Sequence, residues 1–338
     1  MFTVLLGSAT LRAYSPLTMY TGSHPAPNYP RVIQLRFSGE HNGRMYAIFE
    51  HAVAKQPAFQ IFESTDNGAT WKQVSALADS VNGWGMRYQP FLYELPQALG
   101  QMPAGTILCA GNAIPSDMTR TKIDIYKSTD QARTWTFLSS VATGTNANPD
   151  GNFDPVWESF LLLANGKLIC YYSDERDSAH NQKIVHQTSS DGVHWSGLVN
   201  DIALIDPKLR PGMPVIARMK DGRYLMSYEI VGLSKTATYF QVSKNPEVWK
   251  PTDRGTRIAA GGTPYVVTMP DGKLVISEMQ DNNLYVNSSN GSGPWKKVTS
   301  PLGKGYSRCL LPLLNGRLFL SSSIGNTIQY AEIDVNGK

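Results

Sequence analysis

The sequence predicts an all-β fold, a six-bladed β-propeller with four antiparallel strands per blade, and three observations carry that expectation. A β-rich run ends five times in a short polar turn and then a tryptophan: Ser64-Thr-Asp66-Asn-Gly68-Ala-Thr-Trp71, Ser128-Thr-Asp130-Gln-Ala-Arg-Thr-Trp135, Ser189-Ser-Asp191-Gly-Val-His-Trp195, Ser243-Lys-Asn245-Pro-Glu-Val-Trp249 and Ser288-Ser-Asn290-Gly-Ser-Gly-Pro-Trp295. A second turn, Asn or Asp then Gly then a basic residue, recurs at Asn42-Gly43-Arg44, Asn165-Gly166-Lys167, Asp221-Gly222-Arg223, Asp271-Gly272-Lys273 and Asn315-Gly316-Arg317. Spread over 338 residues, these turns mark six units of about 56 residues, the size of a four-stranded blade.

Each turn has a physical basis. An Asp or Asn at the third position of the tryptophan turn accepts backbone N–H groups, a following Gly takes positive φ, and the Trp ring covers the turn. Asn-Gly or Asp-Gly between apolar runs is a tight-hairpin signal, because both central residues of a type I′ turn need positive φ. The second unit has a longer loop, Leu95 to Gly105, in that place. In the third unit the strands read Phe160–Leu163, Leu168–Tyr172, Lys183–Thr188 and Trp195–Val199. The sixth has the Asn315-Gly316 hairpin and a third strand near Thr327–Ala331 but no tryptophan turn after it. Its outer strand is expected from the N-terminus, around Phe2–Thr10, which closes the ring and removes exposed sheet edges. No linker or composition shift divides the chain, so residues 1–338 are expected to be a single domain.

Composition narrows the function. A net charge of +4 with dispersed Lys and Arg gives no basic stripe, so no nucleic-acid partner is expected. No apolar run approaches the 18 or so residues that span a bilayer, so no membrane partner is expected either. Cys109, Cys170 and Cys309 sit in apolar strand-like runs and cannot all pair; buried free thiols are expected. The start, Met1-Phe-Thr-Val-Leu-Leu, reads as a strand and shows no leader peptide. The six His residues have no metal-ligand spacing, so neither a metal nor another cofactor is expected.

Topology locates the site. In a four-stranded meander the turns between strands one and two and between strands three and four share one face. The opposite face carries the starts of first strands and the ends of second strands, which converge on the axis where a pocket forms. Seven residues before each hairpin Asn or Asp lie Glu158, Pro214, Pro264 and Arg308, with Arg31 if Ser38–His41 is an insertion. Seven residues after each hairpin Gly lie Glu50, Ser173, Glu229, Met279 and Ser323, with Asn112 in the second unit. Glu158 and Glu229 interrupt apolar strands, where a carboxylate is unexpected unless it is used or paired. From adjacent blades they could face each other as the carboxylate pair of a glycoside hydrolase, or each could pair with a rim arginine. Arg31 and Arg308 offer forked donors to a ligand, and could equally neutralise the glutamates. Trp84, Tyr88 and Trp157 precede first strands, where their rings could stack on sugars or wedge between blades.

The Ser-x-Asp-x-Gly-x-x-Trp turn resembles the Asp-box of the sialidase superfamily of six-bladed propellers, over nearly the whole chain. Arg31, in Tyr29-Pro-Arg-Val-Ile, and Tyr306-Ser307 resemble the first-arginine and tyrosine motifs of sialidases. The middle arginine fails to match: positions 214 and 264 are Pro, and Arg210, Arg254 and Arg257 fall in loops. The chain more closely resembles glycoside hydrolase family 93, exo-acting arabinanases with two catalytic glutamates on adjacent blades about seventy residues apart; here the spacing is 71. That resemblance implies arabinobiose release from the non-reducing end of 1,5-α-L-arabinan with retention, Glu158 as nucleophile, Glu229 as acid/base and Tyr306 beside the nucleophile. The strand-end positions and the loops entering first strands give Arg31, Trp84, Tyr88, Asn112, Trp157, Ser173 and Arg308 as candidate substrate contacts; no cofactor, an arabinan or arabino-oligosaccharide partner, a monomer and secretion are expected. The alternatives are an exo-sialidase using Tyr306 and an arginine cluster, and a carbohydrate-binding propeller without turnover.

Overall fold

The computed structural model of the chain describes residues 16–147 and 154–336. Within them, 24 strands form six four-stranded antiparallel sheets. Blade one holds β2 (Asn28–Gln34), β3 (Met45–Glu50), β4 (Phe59–Ser64) and β5 (Lys72–Leu77). Blade two holds β6 (Met86–Glu94), β7 (Ile107–Ala113), β8 (Arg120–Ser128) and β9 (Thr136–Thr145). Blade three holds β10 (Val156–Ala164), β11 (Lys167–Asp174), β12 (Lys183–Ser189) and β13 (Val199–Ile202). Blade four holds β14 (Arg210–Arg218), β15 (Tyr224–Val231), β16 (Ala237–Ser243) and β17 (Thr256–Ala260). Blade five holds β18 (Tyr265–Thr268), β19 (Leu274–Ser277), β20 (Asn283–Asn287) and β21 (Lys296–Thr299). Blade six combines β22 (Tyr306–Pro312), β23 (Leu318–Ile324) and β24 (Thr327–Ile333) with β1 (Leu17–Thr21).

Each first strand packs on the next, β2 to β6 to β10 to β14 to β18 to β22 and back to β2, so the sheets close into a ring. The N-terminal strand does close it, through β1 on β24. Leu17–Thr21 does this, whereas Phe2–Thr10 lies outside the described residues. No helix in the described residues is long and apolar enough to cross a membrane. The three cysteines are buried and free.

The tryptophan turns form as their chemistry requires. Ser64 Oγ donates to Asp66 Oδ1 (2.7 Å) and accepts from Gly68 N (2.8 Å), while Asp66 accepts Thr70 N (2.9 Å) and Thr70 Oγ1 (2.6 Å). The rings do more than cover their own turns. Trp135 Nε1 donates to Ser75 Oγ of blade one (3.3 Å), Trp195 Nε1 donates to Ser139 Oγ of blade two (3.0 Å), and Trp71 packs on Phe319 and Tyr330 of blade six. They are wedges between neighbouring blades. The fourth strand of blade three begins at Val199 instead of Trp195.

Close packing at a blade seam gives a test. At buried Gly111 an added Cβ would lie 2.4 Å from the Phe59 ring of the preceding blade, whereas at exposed Gly303 it would meet nothing within 4 Å. Gly111→Ala should lower unfolding free energy by about 1–3 kcal/mol through overpacking, and Gly303→Ala should stay within about 0.5 kcal/mol of wild type, both read by denaturant unfolding.

Candidate active site

The site begins with a backbone irregularity repeated in all six blades. One non-glycine residue per blade, at the axial start of the first strand, has positive φ: Tyr29 (54°), Gln89 (57°), Glu158 (61°), Met213 (56°), Thr263 (53°) and Ser307 (49°). In blades one, two, three, four and six this residue lies in a register shift against the second strand. A bulge re-aims the side chain it carries. Its neighbour on the second strand is the position the hairpin count marks, since Asn28, Tyr88, Trp157, Gly212 and Tyr306 pair with Glu50, Asn112, Ser173, Glu229 and Ser323.

The count along first strands succeeds only at Glu158. Blade three has a two-residue hairpin with Asn165 at φ 52° and Gly166 at φ 74°, a type I′ turn. Blades four, five and six have three-residue loops instead: Met219 N bonds Arg223 O, Met269 N bonds Lys273 O and Leu313 N bonds Arg317 O. One extra residue moves the equivalent positions to Met213, Thr263 and Ser307. With a side-chain period of two, that slip puts Arg308 on the opposite face of its strand. It is fully buried there, donating through Nη2 to Gly303 O (2.6 Å), and stays off the cavity.

Hydrogen bonds stitch the bulges from blade to blade. Gln89 N donates to Glu50 Oε2 (2.7 Å), and Glu158 N to Gln89 Oε1 (3.0 Å). Met213 N donates to Glu158 Oε2 (2.7 Å), which also accepts Ser173 Oγ (2.6 Å). Thr263 N donates to Glu229 Oε2 (2.7 Å) and Ser307 N to Thr263 Oγ1 (3.1 Å). Arg31 completes the circuit, donating to Ser307 O (3.1 Å) and Ser307 Oγ (3.0 Å).

Above this ring lies a cavity of about 490 Å³. Of the expected residues, Glu158, Glu229, Tyr306, Tyr88 and Trp157 line it together. Arg31, Trp84, Asn112, Ser173 and Arg308 do not. Arg31 is buried under the Tyr29 ring, its Cζ 3.9 Å from the centroid. Asn112 is fully buried and donates to Val156 O (2.7 Å). Ser173, also fully buried, donates to Glu158 Oε2 and accepts from Met213 N (3.3 Å). Trp84 packs on the apolar core between blades one and two.

The cavity also takes residues not expected as contacts: Asn28, Tyr29, Glu50, Gln89, Glu175, Gln182 and Arg210. Glu50 was marked by the hairpin count, and only its place beside the axis reveals a use. Arg210 begins β14 and is no loop residue; its Nη2 donates to Glu175 Oε1 (2.7 Å) and Gln182 Oε1 (2.8 Å), and Trp157 Nε1 donates to the same Glu175 oxygen (2.9 Å). Nothing in the local sequence around Arg210 announced this.

Burial dominates the electrostatics. It pushes Glu158 up to about 7, assisted by the Glu229 charge and opposed by the Ser173 and Met213 donors. Burial likewise pushes Glu50 up to about 7 against its Gln89 N–H and Arg31, and raises Glu229 against its Thr263 N–H and Arg210. Tyr306, packed beside Tyr29 (ring centroids 6.3 Å), is held well above the usual phenol range by enclosure and then by Glu158, Tyr29, Glu50 and Glu229. It stays a neutral phenol. Among the described residues no cluster of three or more metal-ligating side chains occurs.

Comparison with solved structures gives the class. The chain is 34% identical to the α-L-arabinanase of Penicillium chrysogenum, solved with arabinobiose, over 96% of this chain and 99% of that one, with a TM-score of 0.91. It is 33% identical to the GH93 α-L-arabinofuranosidase of Fusarium graminearum, also solved with arabinobiose, over 96% and 98%, with a TM-score of 0.90. The NanB sialidase of Streptococcus pneumoniae, 11% identical over 95% of this chain and 71% of that one at a TM-score of 0.60, shares the fold alone. No family model matches the chain, and no curated protein does. The protein is thus a glycoside hydrolase built on a sialidase-like propeller. It belongs to glycoside hydrolase family 93.

The raised carboxyls predict a pH dependence of stability. A carboxyl whose folded pKa lies above its unfolded value binds protons more tightly in the folded state, so its stabilising contribution is complete at low pH and is lost as pH rises. For Glu50 and Glu158 that window runs from the ordinary 4.5 to about 7. Unfolding free energy should therefore carry a falling component between about pH 5 and 7, and Glu158→Gln should flatten that slope in denaturant titrations across the range.

Proposed function

We propose that the protein is a retaining, exo-acting glycoside hydrolase that releases arabinobiose from the non-reducing end of 1,5-α-L-arabinan through Glu158 and Glu229. The observation that carries this reading is the pair itself: two raised carboxyls on adjacent blades lining one cavity, each with one oxygen fixed by a bulge N–H. The arabinobiose bound to two relatives supplies the substrate class.

The protons of a coupled pair belong to the pair, so roles follow from the donors. Glu158 Oε2 accepts two hydrogen bonds and Glu229 Oε2 one. The Glu229 charge is one of the causes that raise Glu158, so when Glu229 holds the proton that cause is gone and the two donors favour an ionised Glu158, which attacks the anomeric carbon while Glu229 protonates the leaving oxygen. Glu229, then ionised, takes a proton from water that opens the glycosyl-enzyme. Tyr306 lines the same cavity and as a neutral phenol donates a hydrogen bond there.

A sialidase activity is disfavoured. Arg210 is the one arginine among the described lining residues, and it is committed to Glu175 and Gln182, whereas Arg31 and Arg308 are buried elsewhere. A cavity whose one arginine is committed to Glu175 and Gln182 offers an anionic sugar no free cation and suits a neutral one. Since the site is drawn from one chain, the active form is proposed as a monomer, to be checked by light scattering against 37.2 kDa. Because the proposed substrate is a polymer, we propose that the protein works outside the cell, to be checked by activity in culture medium.

Linear arabinan and a sialyl glycoside, each offered to wild type, Glu158→Gln and Glu229→Gln, form the test. Arabinobiose release should fall by about 10²-fold or more in each variant, and NMR of the first-formed anomer should show retention. Glu229→Ala should keep more activity on an aryl glycoside, which needs little acid help, than on arabinan. Sialic acid release, or inversion of the anomer, would overturn the reading.

A further inference from the structure

The catalytic pair uses only one side of the cavity. Across the axis, blade one presents a third carboxylate, Glu50, at the end of β3 and paired in register with Asn28 of β2. We propose that Glu50 is a substrate-binding residue that, with Asn28 and Tyr88, holds a neutral sugar on the blade-one side of the cavity. This rests on the reading of the cavity as a glycosidase site for neutral sugars.

Three observations support it. Gln89 N–H holds Oε2 of Glu50, and among the described residues no donor reaches Oε1. Asn28 Oδ1 beside it is buried and has no hydrogen-bond partner among the described residues. Unsatisfied acceptors at a cavity wall are costly unless a ligand or water supplies the donors, and sugar hydroxyls do. Tyr88 lines the same wall and adds an aromatic face, completing the mix of a few convergent polar groups and a flat apolar surface that sugar sites use.

A purely structural role as counter-charge to Arg31 fits less well. Arg31 makes no ion pair with Glu50 among the described residues; its Nη atoms bond Pro30 O, Ser307 O and Ser307 Oγ. The Tyr29 ring, which lines the cavity, packs directly against its guanidinium. Glu50 therefore keeps one oxygen free for a ligand.

Calorimetric binding of arabinobiose and steady-state kinetics on linear arabinan, for wild type, Glu50→Gln, Glu50→Ala and Asn28→Ala, test this. Gln at position 50 retains an acceptor for Gln89 N–H, so its fold is preserved and it decides the matter if the Ala variant fails to fold. A hydrogen bond to a charged group is worth about 1.5–3 kcal/mol, so Glu50→Ala should weaken arabinobiose binding by about 10- to 100-fold. Glu50→Gln should weaken it less, with the loss in KM and not in kcat and with the melting temperature unchanged. Normal binding by wild type and by Glu50→Gln and Glu50→Ala alike overturns the proposal and leaves the arabinanase reading standing. A loss in kcat alone, or one that tracks a lowered melting temperature, also overturns it. No binding to wild type overturns the substrate reading and this proposal with it.

Discussion

The positive-φ residue at the axial start of every first strand is the constraint on which the site depends. Six non-glycine residues hold positive φ there, a conformation that costs of order 1–3 kcal/mol each and persists only where surroundings over-determine it. The surroundings are the neighbouring blades. Gln89, Glu158, Met213, Thr263 and Ser307 each direct the bulge N–H to a side chain of the preceding blade. A hydrogen bond that anchors the ring therefore also fixes one oxygen of a glutamate. Folding and preorganisation of the cavity are the same set of contacts.

The division of labour between faces follows from strand direction. On one face, tryptophan turns and short hairpins tie each blade to its neighbour through Trp135 to Ser75 and Trp195 to Ser139. On the other, strand ends converge and leave carboxylates around a cavity. The rigid face carries the stability and allows the opposite face to keep unsatisfied acceptors and raised carboxyls.

Charge in the cavity is arranged by exclusion. The chain holds 31 Lys and Arg in all, yet Arg210 alone of the described cationic side chains lines the site. Arg31 serves the sixth-to-first blade seam by donating to Ser307, and Arg308 is enclosed near Glu278. With few cations near, burial keeps Glu50, Glu158 and Glu229 high in pKa and Tyr306 neutral. That is an environment in which one carboxyl can hold a proton while its neighbour is charged.

Repeats and alternation in the sequence determined the all-β class, the number of blades, the face that carries the site, and Glu50, Ser173 and Glu229 as strand-end positions. These follow from local rules: turn chemistry, a side-chain period of two, and the sense of a meander. What the sequence could not supply was the length of each hairpin loop. Asp221-Gly222 and Asn165-Gly166 look alike, yet one closes a three-residue loop and the other a two-residue loop. That single-residue difference moved Arg308 off the axis and brought Ser307 onto it. Glu158, on a two-residue hairpin, was read in its true place. Arg210, Gln182 and Glu175 were invisible for a related reason: they meet only when separate loops and strands are folded over one cavity, and no spacing along the chain records that meeting.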